Sequence, residues 1–459
     1  MKNLCGKNAV MTIAAAFLMT CPAMLRAQDM RLMPDADGNV PLTLDKAIEI
    51  ALADNPTIIV ADQQIQLKEI SKKEAWQALL PSADLSGTVQ YTALAAEMKL
   101  NGQSFKMGKD DTYTWNGQFQ IALPVYAPAV YATMNLTKTD LMNAVEQSRS
   151  SKLDLVNQVT KAYYMLILAQ DSYDVLQKSY EQSSRNYQLI NNMYELGGVS
   201  EYDKISSEVQ MRSMQPSVIS ARNAINLAKL QLKVLMGVTS DIEFCINDSL
   251  QNYEDQLVTG MIDIDNMSLE GNTSIRQLKL NEEMLQQTLK VQRTNLYPTL
   301  ALVGSYAFQS LYNENLKLGH YDWGQSSSIV LSLSVPIFKA SNFTKMKSTK
   351  LQINQLAETR RYTEEQLAVQ ARSYIDNMNA SIEQVVSNKE AVKQADKGYE
   401  IAKKRYAIGG GTILELNNSE ISVVSAKLTY SQSIYDYLAA KADLDKVLGR
   451  DDMIIVNEK

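Results

Sequence analysis

Apolar and polar residues alternate with period two in four short stretches, two in each half of the chain. In the first half the apolar positions run from Leu85 to Tyr91 and from Tyr113 to Leu123, with mostly Ser, Thr, Asn and Gln between them. In the second half they run from Leu300 to Phe308 and from Ile329 to Val335. The alternation predicts four strands of about ten residues, each with one apolar and one polar face. Tilted strands of this length can span a membrane.

Aromatic residues are frequent on the apolar faces of these strands. Tyr, Trp and Phe side chains favour the boundary between a membrane and water. We therefore expect the following residues to be membrane-interface anchors: Tyr91, Tyr113, Trp115, Tyr306 and Phe308.

A long helical pattern follows the second strand of each half. Residues of one seam recur at alternating spacings of four and three from Leu155 to Tyr194, and an equivalent seam runs from Leu367 to Tyr406. Such a seam is typical of left-handed coiled-coil packing. It predicts a helix over about residues 129–196, roughly 100 Å long, and a second one like it.

Turns rich in glycine end both long helices. The glycines are Gly197, Gly198, Gly409, Gly410 and Gly411. Each turn predicts a return into a further helix, over 201–236 in the first half and 413–448 in the second.

A shorter helix is predicted before the first strand, over residues 56–80. Asn55 and Pro56 mark its start, because Asn accepts free amide hydrogens and Pro suits the first helical position. The short helix and the returning helix together nearly equal the long helix. The two could therefore stack end to end along it.

The two halves are copies of one unit. A shift of 217 residues places Pro81 on Pro298, and a shift of 212 places Pro124 on Pro336. The change of offset puts the length difference between the first two strands, where a loop is predicted. We divide the chain into a signal peptide (1–27), a first unit (28–237), a connector (238–270), a second unit (271–449) and a tail (450–459).

Four strands leave open edges that are not viable in lipid, and the smallest membrane barrels have about eight strands. The strands must therefore be pooled between protomers. Three chains would supply twelve strands around a polar lumen. Their helices would continue this barrel as a hollow tube, which makes a conduit.

The first residues have the pattern of an export signal. Two lysines precede an apolar stretch from Ala9 to Leu25, and cleavage is expected after Ala27. Cys21 leaves a lipoprotein anchor open as the alternative. After cleavage at Ala27, Cys245 is the single cysteine, so no internal disulfide is expected.

Charge and composition narrow the functional class. Residues 1–27 hold three basic residues and no acidic one, so 42 basic residues face 51 acidic ones in the remainder. A nucleic-acid binder would need a basic face, so no nucleic-acid partner is expected. Glycine and proline make up 29 of 459 residues, about half the usual share, which excludes a many-stranded all-β fold within one chain.

Neither a membrane helix nor a catalytic or metal site is indicated. No run after residue 27 approaches the ~20 apolar residues of a membrane helix, and the longest extends only from Tyr163 to Ala169. The mature chain therefore either has no membrane span or crosses a membrane as strands. The single histidine, His320, and the single mature cysteine exclude the usual zinc ligand sets and the Cys–His and Ser–His nucleophile pairs.

In their order, these features resemble the TolC family of outer-membrane efflux and secretion ducts. The matching motifs are Leu44-Asp45-Lys46-Ala47-Ile48 with Asn55-Pro56, the strand ends Leu123-Pro124-Val125 and Val335-Pro336-Ile337, the turns at Tyr194 and Tyr406, and the unit ends Leu235-Met236-Gly237 and Val447-Leu448-Gly449. Together they cover about residues 40–450, and their duplicated order carries the resemblance.

The resemblance implies a homotrimer that spans the outer membrane of a Gram-negative bacterium and reaches into the periplasm. It implies a mostly α fold, in which long antiparallel coiled-coil helices form a periplasmic tube and four strands per protomer join a twelve-stranded transmembrane β-barrel. It also implies passive export without a bound cofactor, contact with outer-membrane lipid, and docking to a periplasmic adaptor and an inner-membrane pump.

The resemblance further implies a gate at the helix tips. In that family the tips close the periplasmic mouth, acids after the turn ring the opening, and the turns face the adaptor. Glu415 falls at the first acidic ring position and Asn418 where a second acid is often found. Asp203 occupies the equivalent position of the first unit.

The family also links its closed tips through a Tyr, an Arg and an Asp. Tyr406 and Asp203 match this link, but Gly411 stands in the position of the Arg. Arg405 or Lys404 are the candidates to replace it.

Other interpretations remain open at this stage. Ser200-x-x-Asp203 and Thr412-x-x-Glu415 are also capping-box patterns, in which the acid hydrogen-bonds the start of its own helix. A periplasmic coiled-coil adaptor or a structural protein of an envelope transport complex is the alternative function. An adaptor would have Gly-rich β domains, a purely structural coiled coil would not need four strands in phase, and no motif of an enzyme is present.

Overall fold

The computed structural model describes residues 40–100, 103–238, 243–257, 268–314 and 322–450. The predicted signal peptide, His320 and the tail beyond Arg450 lie outside these residues. The first half contains β1 (Val40–Pro41), α1 (Leu44–Asp54), α2 (Pro56–Gln77), β2 (Ser82–Thr92), β3 (Ala96–Leu100), β4 (Gln103–Met107), β5 (Thr112–Tyr126), α3 (Pro128–Glu195) and α4 (Glu201–Met236). The rest contains β6 (Phe244–Cys245), a 3-10 helix (Leu250–Tyr253), α5 (Glu254–Leu257), α6 (Thr273–Thr294), β7 (Thr299–Asn313), β8 (Gly324–Ser334), α7 (Ala340–Ala407) and α8 (Ile413–Leu448).

The element order confirms the internal duplication. A short helix, two strands, a 68-residue helix and a 36-residue helix occur in each half. The predicted helix over 56–80 ends earlier, at Gln77, because the chain turns before Pro81. In that turn the Leu80 amide donates to the Gln77 carbonyl oxygen at 2.9 Å.

The long strands form one antiparallel sheet in the order β2-β5-β7-β8. Leu85 lies opposite Phe119, and Gly304 lies opposite Ile329. Since paired residues share a face, the predicted phase of the alternation is confirmed. β5 and β7 are longer than predicted, with 15 residues each.

The extra residues of the first half do not form the plain loop that was predicted between its two strands. They form a separate hairpin, β3–β4, in which Glu97 lies opposite Lys106 and Met98 opposite Phe105. Asp110 supports its base, because one carboxylate oxygen accepts the Ala95 amide at 2.7 Å and the other pairs with Lys106 Nζ.

The helices confirm the predicted end-to-end stacking. α2 and α4 both pack along α3, and α6 and α8 both contact α3 as well. Asn55 caps α2 by accepting the Thr57 amide at 2.8 Å, and its Nδ2 donates to Leu235 O at the end of α4 at 2.7 Å. Asn272 makes the equivalent bond to Val447 O at 2.7 Å. One asparagine therefore joins the two short helices at each of two junctions.

The core lies along α3, at the level of these junctions. Tyr163, Leu166 and Ile167 of α3 are buried there together with Tyr437 and Leu444 of α8. Nearer the tips, tyrosines of the predicted seam from Leu155 to Tyr194 pack against α4. There the Arg222 guanidinium donates to the Tyr173 hydroxyl at 3.2 Å, and Lys204 Nζ lies 4.9 Å from the centre of the Tyr194 ring. The aromatic seam thus serves as packing surface.

Within the part of the chain that the structure describes, no helix is both long and apolar enough to cross a membrane.

Candidate functional site

The two helix tips have the same backbone construction. Gly197 ends α3 with φ +74°, and Gly409 ends α7 with φ +72°. After each, the next glycine amide donates back into the helix, from Gly198 to Met193 O and from Gly410 to Arg405 O, at 2.8 Å in both cases. A left-handed residue followed by this bond is the usual glycine stop of a helix. The tips are therefore compact turns.

The returning helices are capped by hydroxyl groups. Ser200 Oγ accepts the Asp203 amide and Thr412 Oγ1 accepts the Glu415 amide, both at 3.2 Å. This is half of the predicted capping box. In a full capping box the Glu415 carboxylate would also accept the Thr412 amide. At the second tip this carboxylate instead faces Arg405 at 3.6 Å.

Arg405 is held within its own hairpin. Its Nη2 donates to Gly410 O at 2.9 Å while Nη1 faces Glu415. A Cβ at position 411 would lie 3.2 Å from both the Arg405 Cβ and a Glu415 carboxylate oxygen, so Gly411 makes room for this pair. Arg405 thus does not act in this structure as the predicted link between the two tips. About half of each charged side chain is exposed, so the pair contributes little to stability.

Tyr406 lies beneath the tips in a small apolar cluster. The cluster is formed by Ile190, Ile413 and Leu416, with Val199 and Tyr399 packed against it. Within the described residues the buried Tyr406 hydroxyl has no hydrogen-bond partner. Burial, and then the charge of Asp203, raise the pKa of Tyr406. The structure therefore brings Tyr406 and Asp203 near each other, as the sequence suggested, without a bond between them.

Glu420 is a buried acid that the sequence analysis did not single out. It lies one turn beyond Leu416 on α8 and is 4 % exposed. Its Oε1 accepts the Ser183 hydroxyl of α3 at 2.6 Å, and Ser179 Oγ lies 3.4 Å away. Within the described residues its buried Oε2 has no partner. Burial raises the pKa of Glu420, although the two hydroxyls oppose this.

Polar contacts near the tips join the hairpin α3–α4 to the hairpin α7–α8. Besides Glu420, Asn186 Nδ2 donates to the Tyr399 hydroxyl and Asn417 Nδ2 to Ser206 Oγ, each at 3.3 Å. Ser183 was visible in the sequence as a polar residue within the apolar seam, and Glu420 continues the spacing of Ile413 and Leu416. Polar residues at apolar positions of both helices were the sequence signal that could have revealed the bond between Ser183 and Glu420.

Glu415 and Asn418 lie on the first turns of α8, where both are exposed. Asp203 is half-buried on α4. A single chain therefore places Glu415 beside Arg405 and Tyr406 near Asp203, and it does not itself bring two acids together at one opening.

The sheet presents a broad exposed apolar face. Exposed members of this face are Leu85, Val89, Tyr91, Phe119, Ile121, Tyr306, Ile329, Leu331 and Leu333. The aromatic residues gather toward one end, where the Tyr91 and Tyr113 ring centres are 5.0 Å apart. Phe308 lies over Gly117, where a Cβ would come within 2.1 Å of its ring. Trp115 pairs with Val89 on the same face.

Comparison with known proteins connects these features to one class. The sequence profile described as "Outer membrane efflux protein" matches residues 47–238 and 266–450. The fold and the match define a channel of the Gram-negative outer membrane that extends into the periplasm and serves efflux or secretion. The chain belongs to the outer membrane efflux protein family.

Individual relatives have low sequence identity to this chain, but the alignments cover most of both chains. The chain is 21 % identical to the outer membrane protein TolC of Escherichia coli over 399 residues, which covers 85 % of this chain and 78 % of the relative. It is 18 % identical to TolC of Vibrio cholerae over 326 residues, which covers 71 % and 74 %. The solved structure of the outer membrane protein VceC from Vibrio cholerae has a TM-score of 0.69 at 15 % identity, covering 88 % of this chain and 96 % of that chain. This last similarity shows the shared fold.

Proposed function

We propose that three copies of this chain close into one hollow duct, with a shared barrel of twelve strands above a tube of helices. The proposal rests on one observation: the sheet and the layer of helices each have unpaired sides, and these sides belong to the same parts of the chain. In the sheet, β2 and β8 are the edges. In the helical layer, α3 packs against α2, α4, α6 and α8, whereas among the described residues the main contacts of α7 are with α6 and α8.

Exposed apolar residues also occur on the helices beside the open edges, as a buried interface requires. They include Val60 and Leu67 of α2 and Val209 and Leu230 of α4. Those of α7 include Leu351, Val369, Val386 and Ile401. The free side of α7 spans the combined length of α2 and α4, so one copy can cover the open side of the next.

Closure would place the apolar face of the sheet toward outer-membrane lipid and the polar face toward water. The five aromatic anchors predicted from the sequence, Tyr91, Tyr113, Trp115, Tyr306 and Phe308, would then lie at the membrane boundary. The tips would meet around the threefold axis, with Glu415 and Asn418 at the aperture and Asp203 and Tyr406 supporting it.

Passive export through this duct requires partners that supply the substrate. In this proposal the glycine turns Gly197–Gly198 and Gly409–Gly411 dock a periplasmic adaptor, which joins the duct to an inner-membrane pump. No cofactor and no catalysis are needed for passive transport. The division into two units joined by a connector, with a removed signal peptide at 1–27, belongs to the same proposal.

Cell fractionation tests this assembly. The protein is expected in the outer-membrane pellet as trimers that survive mild detergent. Recovery as a monomer in the soluble periplasmic fraction would reject the duct and favour an adaptor or structural role.

A further inference from the structure

We propose that Arg361 docks onto the first helix junction of the next copy, as Arg149 docks onto the second junction within one chain, and that β8 meets β2 of that copy in the register that β5 and β7 keep. The partner is therefore a second copy of this chain, bound in a stated register. This inference rests on the proposed trimer and specifies its interface.

The strand registers show that the two halves are equivalent residue by residue. Gly87 pairs with Gly117 in the first half, and Gly304 pairs with Ile329 in the second. Gly304 follows Gly87 by 217 residues, and Ile329 follows Gly117 by 212, as in the sequence repeat. β8 is therefore the counterpart of β5, and β7 is the counterpart of β2.

The pairing of β5 with β7 joins the two halves, and it predicts how the edges meet. Gly117 pairs with Phe308, and Gln118 pairs with Ala307. The same offsets convert these pairs into Ile329 with the partner subunit's Tyr91, and Val330 with the partner subunit's Gln90. Apolar residues then meet on one face, and the alternation of the sheet continues across the interface without a break.

Arg149 of α3 makes the matching contact in the helical layer. Its Nη1 donates to Gly271 O at 3.1 Å and its Nη2 to Gly449 O at 2.9 Å. Glu146, one turn earlier, accepts from Nη1 at 2.8 Å. Only 17 % of the Arg149 side chain is exposed. One arginine thus holds the start of α6 and the end of α8 together.

The counterparts of this pair lie on the free side of α7. Arg361 and Glu358 follow Arg149 and Glu146 by 212 residues and form the same ion pair, at 3.2 Å. Each of these two side chains is 73 % exposed in the isolated chain. The second pair therefore repeats the i,i+3 pairing of the first, but within the described residues it binds no junction.

The first helix junction has the shape to receive Arg361. Gly237 has φ +71° and approaches Asp54 so closely that a Cβ would lie 2.6 Å from Asp54 O, as one at Gly449 would lie 2.1 Å from Gly271 O. Among the described residues, no side chain donates to Asp54 O or Gly237 O. Asp54 also adds a carboxylate where the second junction has Gly271, so its charge complements an arginine.

Disulfide cross-linking tests the register in the full-length protein in outer membranes, with Cys245 replaced by Ser. One variant combines Ile329→Cys with Tyr91→Cys, and another combines Val330→Cys with Gln90→Cys, because neighbouring pairs differ in hydrogen-bonding geometry. Within one chain β2 and β8 are three strand spacings apart, about 14 Å. A disulfide needs about 4.4–6.8 Å between Cα atoms, so any bond must join two chains.

We expect covalent trimers from at least one of the two variants after mild oxidation. The control is Ile329→Cys with Leu85→Cys, which uses the same face but is displaced by about 20 Å along the strand. If the protein forms trimers but only the control variant cross-links, or neither matched pair does, the proposed register is wrong and the proposed trimer still stands. If no variant and no unmodified protein forms a trimer, the proposed function itself fails.

Arg361→Gln tests the helical contact. We expect the trimer to dissociate at a lower temperature in detergent, while the helical circular dichroism of the protomer stays unchanged. Lys393→Gln is the matched control, because Lys393 forms a similarly exposed i,i+3 pair with Glu390 on the same helix. Equal dissociation temperatures for Arg361→Gln and Lys393→Gln would refute a role for Arg361 between subunits.

Discussion

At the residue scale, two acids of α8 lie five positions apart in opposite environments. Glu415 is half exposed beside Arg405. Glu420 is buried between the two hairpins, and one of its oxygens has no partner among the described residues. An exposed acid can act on ions in a pore, whereas a buried one acts on the packing of the helices that cover it.

Glu420→Gln is expected to strengthen the packing of the two hairpins near neutral pH. The groups that face Glu420 are Ser179 and Ser183 from α3 and Tyr399 from α7, whose pKa the charge on Glu420 helps to raise. Because the pKa of Glu420 is raised on burial, packing is strongest below about 4.3, the ordinary pKa of Glu, and weakens as pH rises through the raised pKa. Each unit by which the pKa of Glu420 is raised lowers the free energy of unfolding above that pKa by about 1.4 kcal/mol.

Thermal unfolding of both proteins from acid to neutral pH measures this effect. The variant should unfold at a higher temperature than the wild type near pH 7, and the difference should vanish in acid. Glu415→Gln is the control, since its carboxylate is already hydrated. A difference that does not depend on pH would show that the charge of Glu420 plays no part.

Glu415→Gln is expected to remove block of the channel by cations. Three Glu415 side chains about 6 Å apart would repel by roughly 0.7–3 kcal/mol per pair, so they would attract cations. Single-channel conductance with added divalent cations measures the block, and Glu201→Gln, an exposed acid at the other tip, is the control. Unchanged block in Glu415→Gln would discard the acidic ring.

Arg405→Gln should have the opposite effect on the same current. Arg405 lies 3.6 Å from Glu415 and neutralises part of its charge. Its removal should therefore deepen cation block, by an amount that Glu415→Gln in the same chain abolishes. Equal block with and without Arg405 would show that this pair does not persist in the assembled channel.

At the scale of elements, glycines with similar backbone angles have different structural roles. Gly197 and Gly237 both have φ between +70° and +75°. A Cβ at Gly197 meets nothing within 4 Å, whereas one at Gly237 would lie 2.6 Å from Asp54 O. The tip glycine thus supplies only backbone freedom, and the junction glycine also supplies room.

Alanine substitutions separate these two contributions. Gly197→Ala should cost about 1–2 kcal/mol for the left-handed backbone alone. Gly237→Ala should cost distinctly more, because the junction of α2 and α4 must open. Unfolding temperatures of the two variants, measured under identical conditions, provide the comparison. Equal losses would contradict the close packing at the junction.

Much of the element order could be predicted from the sequence because each element has a strong local signal. Period-two alternation located the strands, and the Gly turns located the ends of α3 and α7. The hairpin β3–β4 was missed because its strands have only five residues each, too few for a clear alternation. α1 was noticed only as a matching motif, although Thr43 caps it and its buried face packs into the core.

The contacts of the candidate site were less predictable, since they join residues far apart in the chain. The bond between Glu420 and Ser183 spans 237 positions. Whether an acid after a turn caps its helix or faces a neighbour depends on the side chains around it. Arg405 reaches Glu415 because Gly411 has no side chain, and the sequence could name these residues but not their arrangement.

At the scale of the whole molecule, one chain leaves matching surfaces exposed on both of its sides. Within the described residues, β2 and β8 are sheet edges, and Arg361 pairs only with Glu358, whereas its counterpart Arg149 also binds a helix junction. The two units of one chain contact each other, and the same contact surfaces stay exposed at the two sides of the chain. Such a chain can form a closed ring when further copies are added around an axis. In the proposed trimer the channel function follows from that closure, because the axis would remain open to water.

Electron microscopy of the detergent-extracted protein measures this closure most directly. Averaged particles should show threefold symmetry, a hollow axis along the helices and one barrel at the end that carries the sheet. Particles with a single chain, in which residues 85–123 and 300–335 close a compact sheet without a neighbour, would contradict the account.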